Sequence, residues 1–115
     1  MTITSKEVGP VTVVILQGKM TAADSNGRVR EMIDSLIQKG RKQIVANLEA
    51  ASTIDSGGLG ELVSCYATTN RVGGGMKLVY NAKKIKDLMI ITKLASIFDS
   101  YDNEAEAIKS FGAAV

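Results

Sequence analysis

Histidine and tryptophan are absent from this 115-residue chain, which also has a single cysteine, Cys65, and a single proline. Without histidine, no catalytic triad that relies on an imidazole base is possible. One thiol cannot form an internal disulfide, and it cannot by itself supply a His/Cys zinc site. These absences exclude most hydrolase chemistries, so we expect no enzymatic activity and no bound metal or cofactor.

Aromatic residues are scarce, at 4% of the chain, and 14 basic against 12 acidic side chains leave a formal net charge of only +2. Nucleic-acid surfaces combine stacking aromatics with a strong basic excess, so direct nucleic-acid binding is not expected. No stretch approaches the roughly 20 apolar residues of a membrane-spanning helix, and the polar segment 1–10 does not resemble a secretion signal. The sequence therefore predicts a cytoplasmic protein without membrane insertion.

The chain does contain enough apolar material for a packed core, because 45% of its residues are hydrophobic and 23% are charged. A chain of this length can remove roughly 65% of its unfolded surface from water. It has no internal repeat, low-complexity tract or long linker. We predict a single domain spanning residues 1–115.

Hydrophobic periodicity predicts an α/β fold with the element order ββαβαβαβα. Thr2–Val8 and Val11–Gln17 flank the turn signal Gly9-Pro10 and form an N-terminal hairpin. A helix capped by Asp24 follows. Its buried stripe has the spacing i, i+3, i+4, i+7 and i+8 and comprises Val29, Met32, Ile33, Leu36 and Ile37.

The second half of the chain continues this alternation. Short apolar runs at 44–48 and 76–80 predict a central strand and its neighbour, and 97–101 an edge strand. Helices are predicted after residue 56, after a cap at Asn81, and over 104–111 after a cap at Asn103. The expected architecture is a mixed sheet of about five strands with helices packed mainly on one face.

The segment Thr53–Gly60 carries the strongest candidate for chemistry, because an apolar run passes through a short polar link into a glycine-rich helix start. In one interpretation Asp55 or Ser56 is only the helix N-cap, and the glycines let the turn form. In the other, Ser56 presents its hydroxyl at a helix N-terminus, where amide donors and the helix dipole would hold an added phosphate. Asp24 is interpreted first as a helix cap; the weaker interpretation is that it faces the same end of the molecule as Ser56.

Other motifs do not support catalysis. A P-loop needs lysine after its last glycine, but Gly60 is followed by Glu61, and Gly73–Gly75 suits a plain turn. A nucleophile elbow needs glycine where Ile54 stands. The acidic residues Asp99, Asp102, Glu104 and Glu106 are expected to complement a helix dipole. Cys65 is expected to be a buried, unreactive side chain.

The order of elements and several motifs resemble the STAS domain of bacterial anti-sigma factor antagonists. The resemblance covers nearly the whole chain. It rests on the run Asp55–Gly60, on Gly18–Asp24, on Asn47-Leu48, on Gly75–Leu78 and on Thr92-Lys93-Leu94 leading to Ile97-Phe98. In that family the serine after the aspartate is phosphorylated by a partner anti-sigma kinase, and the matching position here is Ser56.

This resemblance implies a partner-switching cycle with an anti-sigma factor serine kinase and a serine phosphatase. The implied phosphorylation site is Ser56, and the implied partner-binding residues are Asp24, Asp55, Ser56, Gly57, Gly58, Leu59 and Gly60. A weak homodimer is left open. Thr53 and Gly57 depart from the residues usual in the family, which motivates an alternative: a STAS scaffold or transport-complex subunit that is never phosphorylated.

Overall fold

Six strands and five α-helices alternate along residues 1–112, the part of the chain that the computed structural model describes. The strands are β1 (Thr2–Val8), β2 (Val11–Met20), β3 (Gln43–Asn47), β4 (Ala51–Ile54), β5 (Gly75–Val79) and β6 (Ser100–Tyr101). The helices are α1 (Ala22–Ser25), α2 (Arg28–Gln38), α3 (Ser56–Arg71), α4 (Lys83–Ile91) and α5 (Glu104–Lys109). A 3₁₀ turn at Leu94–Ser96 links α4 to β6.

The strands form a mixed sheet with the order β1-β2-β3-β5-β6. β1 and β2 are an antiparallel hairpin, which confirms the prediction from Gly9-Pro10, and Gly9 adopts a φ of +58° in the turn. The other neighbours pair in parallel, and β3 is central as predicted. β4 pairs in parallel with the last residues of β2, outside the main order. The carboxyl ends of the parallel strands consequently meet at one edge of the sheet.

The core has two parts, one on each face of the sheet. The larger part joins the sheet to α2, α3 and α4 and includes Ile33, Leu62 and Met89, each at most 1% exposed. On the opposite face α5 packs Ala107 against Val13 and Val45. The prediction of a mixed sheet covered mainly on one face is confirmed.

The first predicted helix is divided into two pieces. Asn26 and Gly27 adopt left-handed conformations, with φ of 46° and 79°, and this break in helical geometry separates α1 from α2. The predicted cap at Asp24 is wrong: Thr21 caps α1 and accepts a hydrogen bond from the Asp24 amide at 3.2 Å. The predicted stripe is confirmed within α2, where Val29 and its partners face the sheet.

For the remaining strands and helix caps, the structure confirms some predictions and contradicts others. Strand β4 was not expected. The predicted edge strand over 97–101 is reduced to two residues, because the amides of Ile97 and Phe98 donate to the Leu94 carbonyl at the end of the 3₁₀ turn instead of pairing in the sheet. Asn81 does not cap α4, because the N-cap of that helix is Ala82. The side-chain amide of Asn81 instead donates a hydrogen bond to Glu49. Asn103 does cap α5, since its Oδ1 accepts from the Glu106 amide at 2.9 Å. Within residues 1–112 no helix is both long and apolar enough to span a bilayer.

Candidate functional site

Ser56 is the first residue of α3, and only Asp55 separates it from the end of β4 at Ile54. Because β4 pairs in parallel with β2, this position lies at the edge of the sheet where the parallel strands end. Loops and helix starts at that edge are the usual place of sites in α/β folds. The side chain of Ser56 is exposed, so its hydroxyl is open to a partner.

Asp55 is the N-cap of α3, which selects one of the two residues proposed for that role. Its carboxylate accepts from the Gly58 amide at 2.9 Å and from the Ala22 amide at 3.0 and 3.2 Å. The hydrogen bond from Gly58, and next the one from Ala22, hold the pKa of Asp55 below its usual value, against a smaller opposing effect of desolvation. The ionised carboxylate thus joins the first turn of α3 to the start of α1.

The glycines that follow Ser56 are needed for space rather than for unusual backbone angles. A Cβ at Gly57 would stand 2.4 Å from the Cβ of Ala22, and a Cβ at Gly58 would stand 2.1 Å from the carbonyl oxygen of Met20. Both distances are shorter than any real contact. Gly60, in contrast, has open space where its Cβ would be. The first turn of α3 therefore fits closely against the connection between β2 and α1.

Glu61 is a buried acid that sequence reasoning did not single out. Its Oε2 accepts from the amides of Val29 at 2.8 Å and Arg30 at 3.1 Å, and its Oε1 accepts from the Ser25 hydroxyl. These amides belong to the first turn of α2, whose N-cap, Gly27, has no side chain to accept them. Glu61 of α3 thus caps α2 from outside, and only the glycine at the start of α2 hints at this in the sequence.

An open groove runs beside Ser56 between α3 and the junction of α1 with α2. Its volume is about 310 Å³, and its lining is largely small or polar: Ala22, Asn26, Gly27, Arg30, Gly57, Gly60, Glu61 and Ser64. The small residues leave the backbone accessible, so a partner's chain could closely approach residues Asp55–Gly60, which we call the serine turn.

The other predicted partner-binding residues lie around this turn at different depths. Asp24 is exposed on α1, where its carboxylate accepts from the Thr21 hydroxyl at 3.1 Å. Gly58 is buried, and Leu59 is 7% exposed and belongs to the main core. The structure thus brings Asp24, Asp55, Ser56, Gly57 and Gly60 to the surface, with Gly58 and Leu59 supporting the turn from below.

Of the four acidic residues expected to complement a helix dipole, Glu104 and Glu106 lie in the first turn of α5, whereas Asp99 and Asp102 precede that helix. Glu104 pairs with Lys6 at 2.7 Å and also accepts from the amide of Asn47; burial raises its pKa, but these two hydrogen bonds outweigh that effect and lower it overall. Cys65 is buried, and burial, followed by the nearby Glu61 charge, raises its thiol pKa to about 12. A thiol with that pKa is unreactive near neutral pH.

Comparisons with known proteins agree with this architecture. The STAS domain family model matches residues 2–107. The anti-sigma F factor antagonist of Paenibacillus polymyxa is 31% identical over 99 residues, which are 85% of this chain and 84% of that protein.

Two solved structures show the same fold. An anti-sigma factor antagonist from Mycobacterium paratuberculosis matches with a TM-score of 0.85 and 19% identity, over 95% of this chain and 92% of that one. The Bacillus cell fate determinant SpoIIAA, in its phosphorylated form, matches with a TM-score of 0.73 and 20% identity, over 96% of this chain and 100% of that one.

Proposed function

The chain belongs to the STAS domain family, and from this membership we propose that it is an anti-sigma factor antagonist controlled by phosphorylation of Ser56. The unphosphorylated protein binds an anti-sigma serine kinase in the cytoplasm and so releases the sigma factor that the kinase held. Phosphorylation ends this binding, and a serine phosphatase restores it. The chain itself is a binding partner and takes no catalytic part.

One observation carries the proposal: the exposed hydroxyl of Ser56 stands at the first position of a 16-residue helix, directly after the N-cap Asp55. A kinase can reach this hydroxyl without unfolding the turn. In the transfer the Ser56 oxygen bonds to the γ-phosphorus of ATP, the bond to the β–γ bridging oxygen breaks, and ADP and the hydroxyl proton leave. The positive end of the helix dipole tolerates the added charge in the free protein.

The relatives support a function that involves phosphorylation. The similar Paenibacillus protein is an anti-sigma F factor antagonist, and the similar SpoIIAA has a phosphorylated form. Asp55 and Ser56 match the aspartate and serine of the family motif described above. The ionised Asp55 carboxylate beside the serine adds a like charge, which makes a phosphate there costly once a partner excludes water.

The test is to incubate the protein with its cognate anti-sigma kinase and ATP, and to locate phosphate by peptide mass spectrometry. We expect one phosphoryl group on Ser56, and none on the Ser56→Ala variant. Ser35→Ala is the matched control, because Ser35 is exposed on α2 and does not line the groove beside Ser56. It should be modified like the parent.

Phosphate on Ser52 or Ser64 instead of Ser56 would show that the assigned switch residue is wrong. A chain that binds the kinase and is never modified would favour the alternative of a non-phosphorylated STAS scaffold or transport-complex subunit.

A further inference from the structure

Helix α4 ends in an apolar surface that its own fold does not cover. Ile90 is 65% exposed and Ile91 is 78% exposed, the largest value for a large hydrophobic side chain within residues 1–112. Two such residues side by side at the end of a nine-residue helix are unfavourable in water.

Ile91 forms one wall of a concave site, which we call the α4 groove. The groove has a volume of about 260 Å³ and is lined by Thr53, Ile54, Lys84, Ile85, Asp87, Leu88 and Ile91. Most of this lining is aliphatic. A concave apolar site of this size accepts a protruding side chain from a folded protein, whereas a flat or convex surface would suit a bilayer.

The α4 groove is continuous with the serine turn. Ile54 lines the groove and is the last residue of β4, directly before Asp55. Its Cγ2 also lies 3.3 Å from the position that a Cβ would take at Gly58, so it contacts the first turn of α3. A partner seated over Ser56 therefore has the groove at its border.

The charges at the groove point to an acidic partner. Two charged residues line the groove, Lys84 and Asp87. Asp87 is paired with Lys83, which lies outside the lining, at 3.6 Å. Lys84 has no ion pair within residues 1–112, so it is the unneutralised charge of the groove. A second copy of this helix would place further lysines against it, whereas a carboxylate beside an apolar side chain would complement both features of the groove.

We propose that the α4 groove is a second docking site for the kinase that modifies Ser56, and that it accepts an apolar side chain flanked by an acidic residue of the kinase. This inference rests on the function proposed above. The groove lies outside the phosphorylated turn, so it contributes affinity in both states of the switch, while Ser56 alone determines whether the turn can engage.

The test measures the dissociation constant of the kinase complex for Ile91→Ser and for Lys84→Glu by calorimetry. Since interface anchors dominate affinity, we expect each variant to bind about tenfold more weakly than the parent. The matched controls are Val72→Ser, which also replaces an exposed aliphatic side chain with serine, and Lys39→Glu, which makes the same charge reversal; both positions lie at the ends of other helices. Val72 follows α3, about 24 Å along that helix from Ser56, and its variant should bind like the parent.

The outcomes separate this proposal from the function on which it rests. If Ser56 is phosphorylated but Ile91→Ser and Lys84→Glu bind within about twofold of the parent, the groove is not a docking site, and the proposed function stands. Loss of self-association or of binding to anionic phospholipid vesicles in Ile91→Ser, with kinase binding unchanged, would also overturn it. A kinase that neither binds nor modifies the parent overturns both.

Discussion

Single residues of the serine turn are fixed by contacts with a segment 33 positions earlier in the chain. Asp55 holds the amide of Ala22, and Gly57 gives Ala22 the space that a side chain would occupy. Neither contact involves the Ser56 hydroxyl. The turn is therefore rigidly positioned while its functional group remains exposed, which is what a modification site requires.

The carboxylate of Asp55 should make stability depend on pH. Its folded-state pKa is lowered, so its contribution is present above the unfolded value near 3.9 and is lost as pH falls through the folded value. We expect Asp55→Asn, which keeps an uncharged acceptor, to be less stable than the parent at pH 7. The difference in urea midpoint should shrink below about pH 4. A difference that stayed constant from pH 7 to pH 3 would contradict this role.

Adding one methyl group to either of two glycines of the serine turn should change the free energy of unfolding in opposite directions. Gly57→Ala places its Cβ against Ala22 and should lower the free energy of unfolding by about 1–3 kcal/mol, as overpacking does. Gly60→Ala meets open space within the helix and should raise it by about 0.5–1 kcal/mol. Chemical denaturation of both variants measures this, and the reverse order would mean that the close approach of α1 to α3 is wrong.

The sequence predicted the serine turn but not the reason for its glycines. A motif of this kind indicates a helix start because Asp55 is a good N-cap and an apolar stripe follows. It does not reveal that Met20 and Ala22 pack against Gly58 and Gly57, because that contact depends on how β2 and β4 pair.

At the scale of elements, α2 and α3 depend on one shared carboxylate. Glu61, a residue of α3, accepts hydrogen bonds from two amides in the first turn of α2 and from the hydroxyl of Ser25. A helix N-terminus has four amides without partners in its own helix, and Gly27 offers no side chain for them. Glu61 therefore positions α2 and the turn before it relative to the serine helix.

Removing the Glu61 cap should lower the free energy of unfolding more than removing an exposed acidic side chain does. Glu61→Ala leaves buried donors without an acceptor, so we expect the free energy of unfolding to fall by about 2–3 kcal/mol. Asp34→Ala, an exposed position on α2, is the control and should change it by less than about 0.5 kcal/mol. Urea unfolding of the two variants compares them directly; equal effects would argue against the cap.

Local sequence patterns predicted most of the helices and strands. They did not predict features that depend on contacts between residues far apart in the chain. The stripe through Val29 and Ile33 identified α2, and the β-branched run of β2 identified the hairpin. The break at Asn26 and Gly27 was missed because Asp24 looked like a sufficient cap, although α2 takes its cap from Glu61. Strand β4 was missed because four residues show almost no period, and its pairing with β2 is what makes it a strand.

At the scale of the whole molecule, the parallel strands of the mixed sheet bring the serine turn, α1 and the α4 groove to one end. The parallel pairing of β2 with β4 places Met20 beside Ile54, and the chain leaves these strands into α1 and α3 respectively. In the proposed complex, a partner at this edge would contact Ser56 together with residues from separate parts of the chain. Changing the Ser56 hydroxyl would then alter that interface without altering the core below it.

The final prediction concerns how, in the proposed function, a single charge at Ser56 would release the kinase without refolding the domain. Reversing occupancy from about 99:1 to 1:99 requires roughly 5.5 kcal/mol. A charge of about −1.5 to −2 from a phosphate is tolerated at the N-terminus of α3 in the free protein. In the complex it would be desolvated beside the ionised Asp55, at a cost of several kcal/mol, on the order of the required change.

Ser56→Asp, which carries part of that charge, should therefore weaken kinase binding while leaving the circular-dichroism spectrum and the cooperativity of melting nearly unchanged. Ser56→Ala should keep binding. Ser35→Asp, which adds the same charge at an exposed position on α2, should bind like the parent at moderate salt. If Ser56→Asp bound as tightly as the parent while Ser56→Ala lost binding, the hydroxyl would be a hydrogen-bonding anchor. Electrostatic release at this turn would then be rejected.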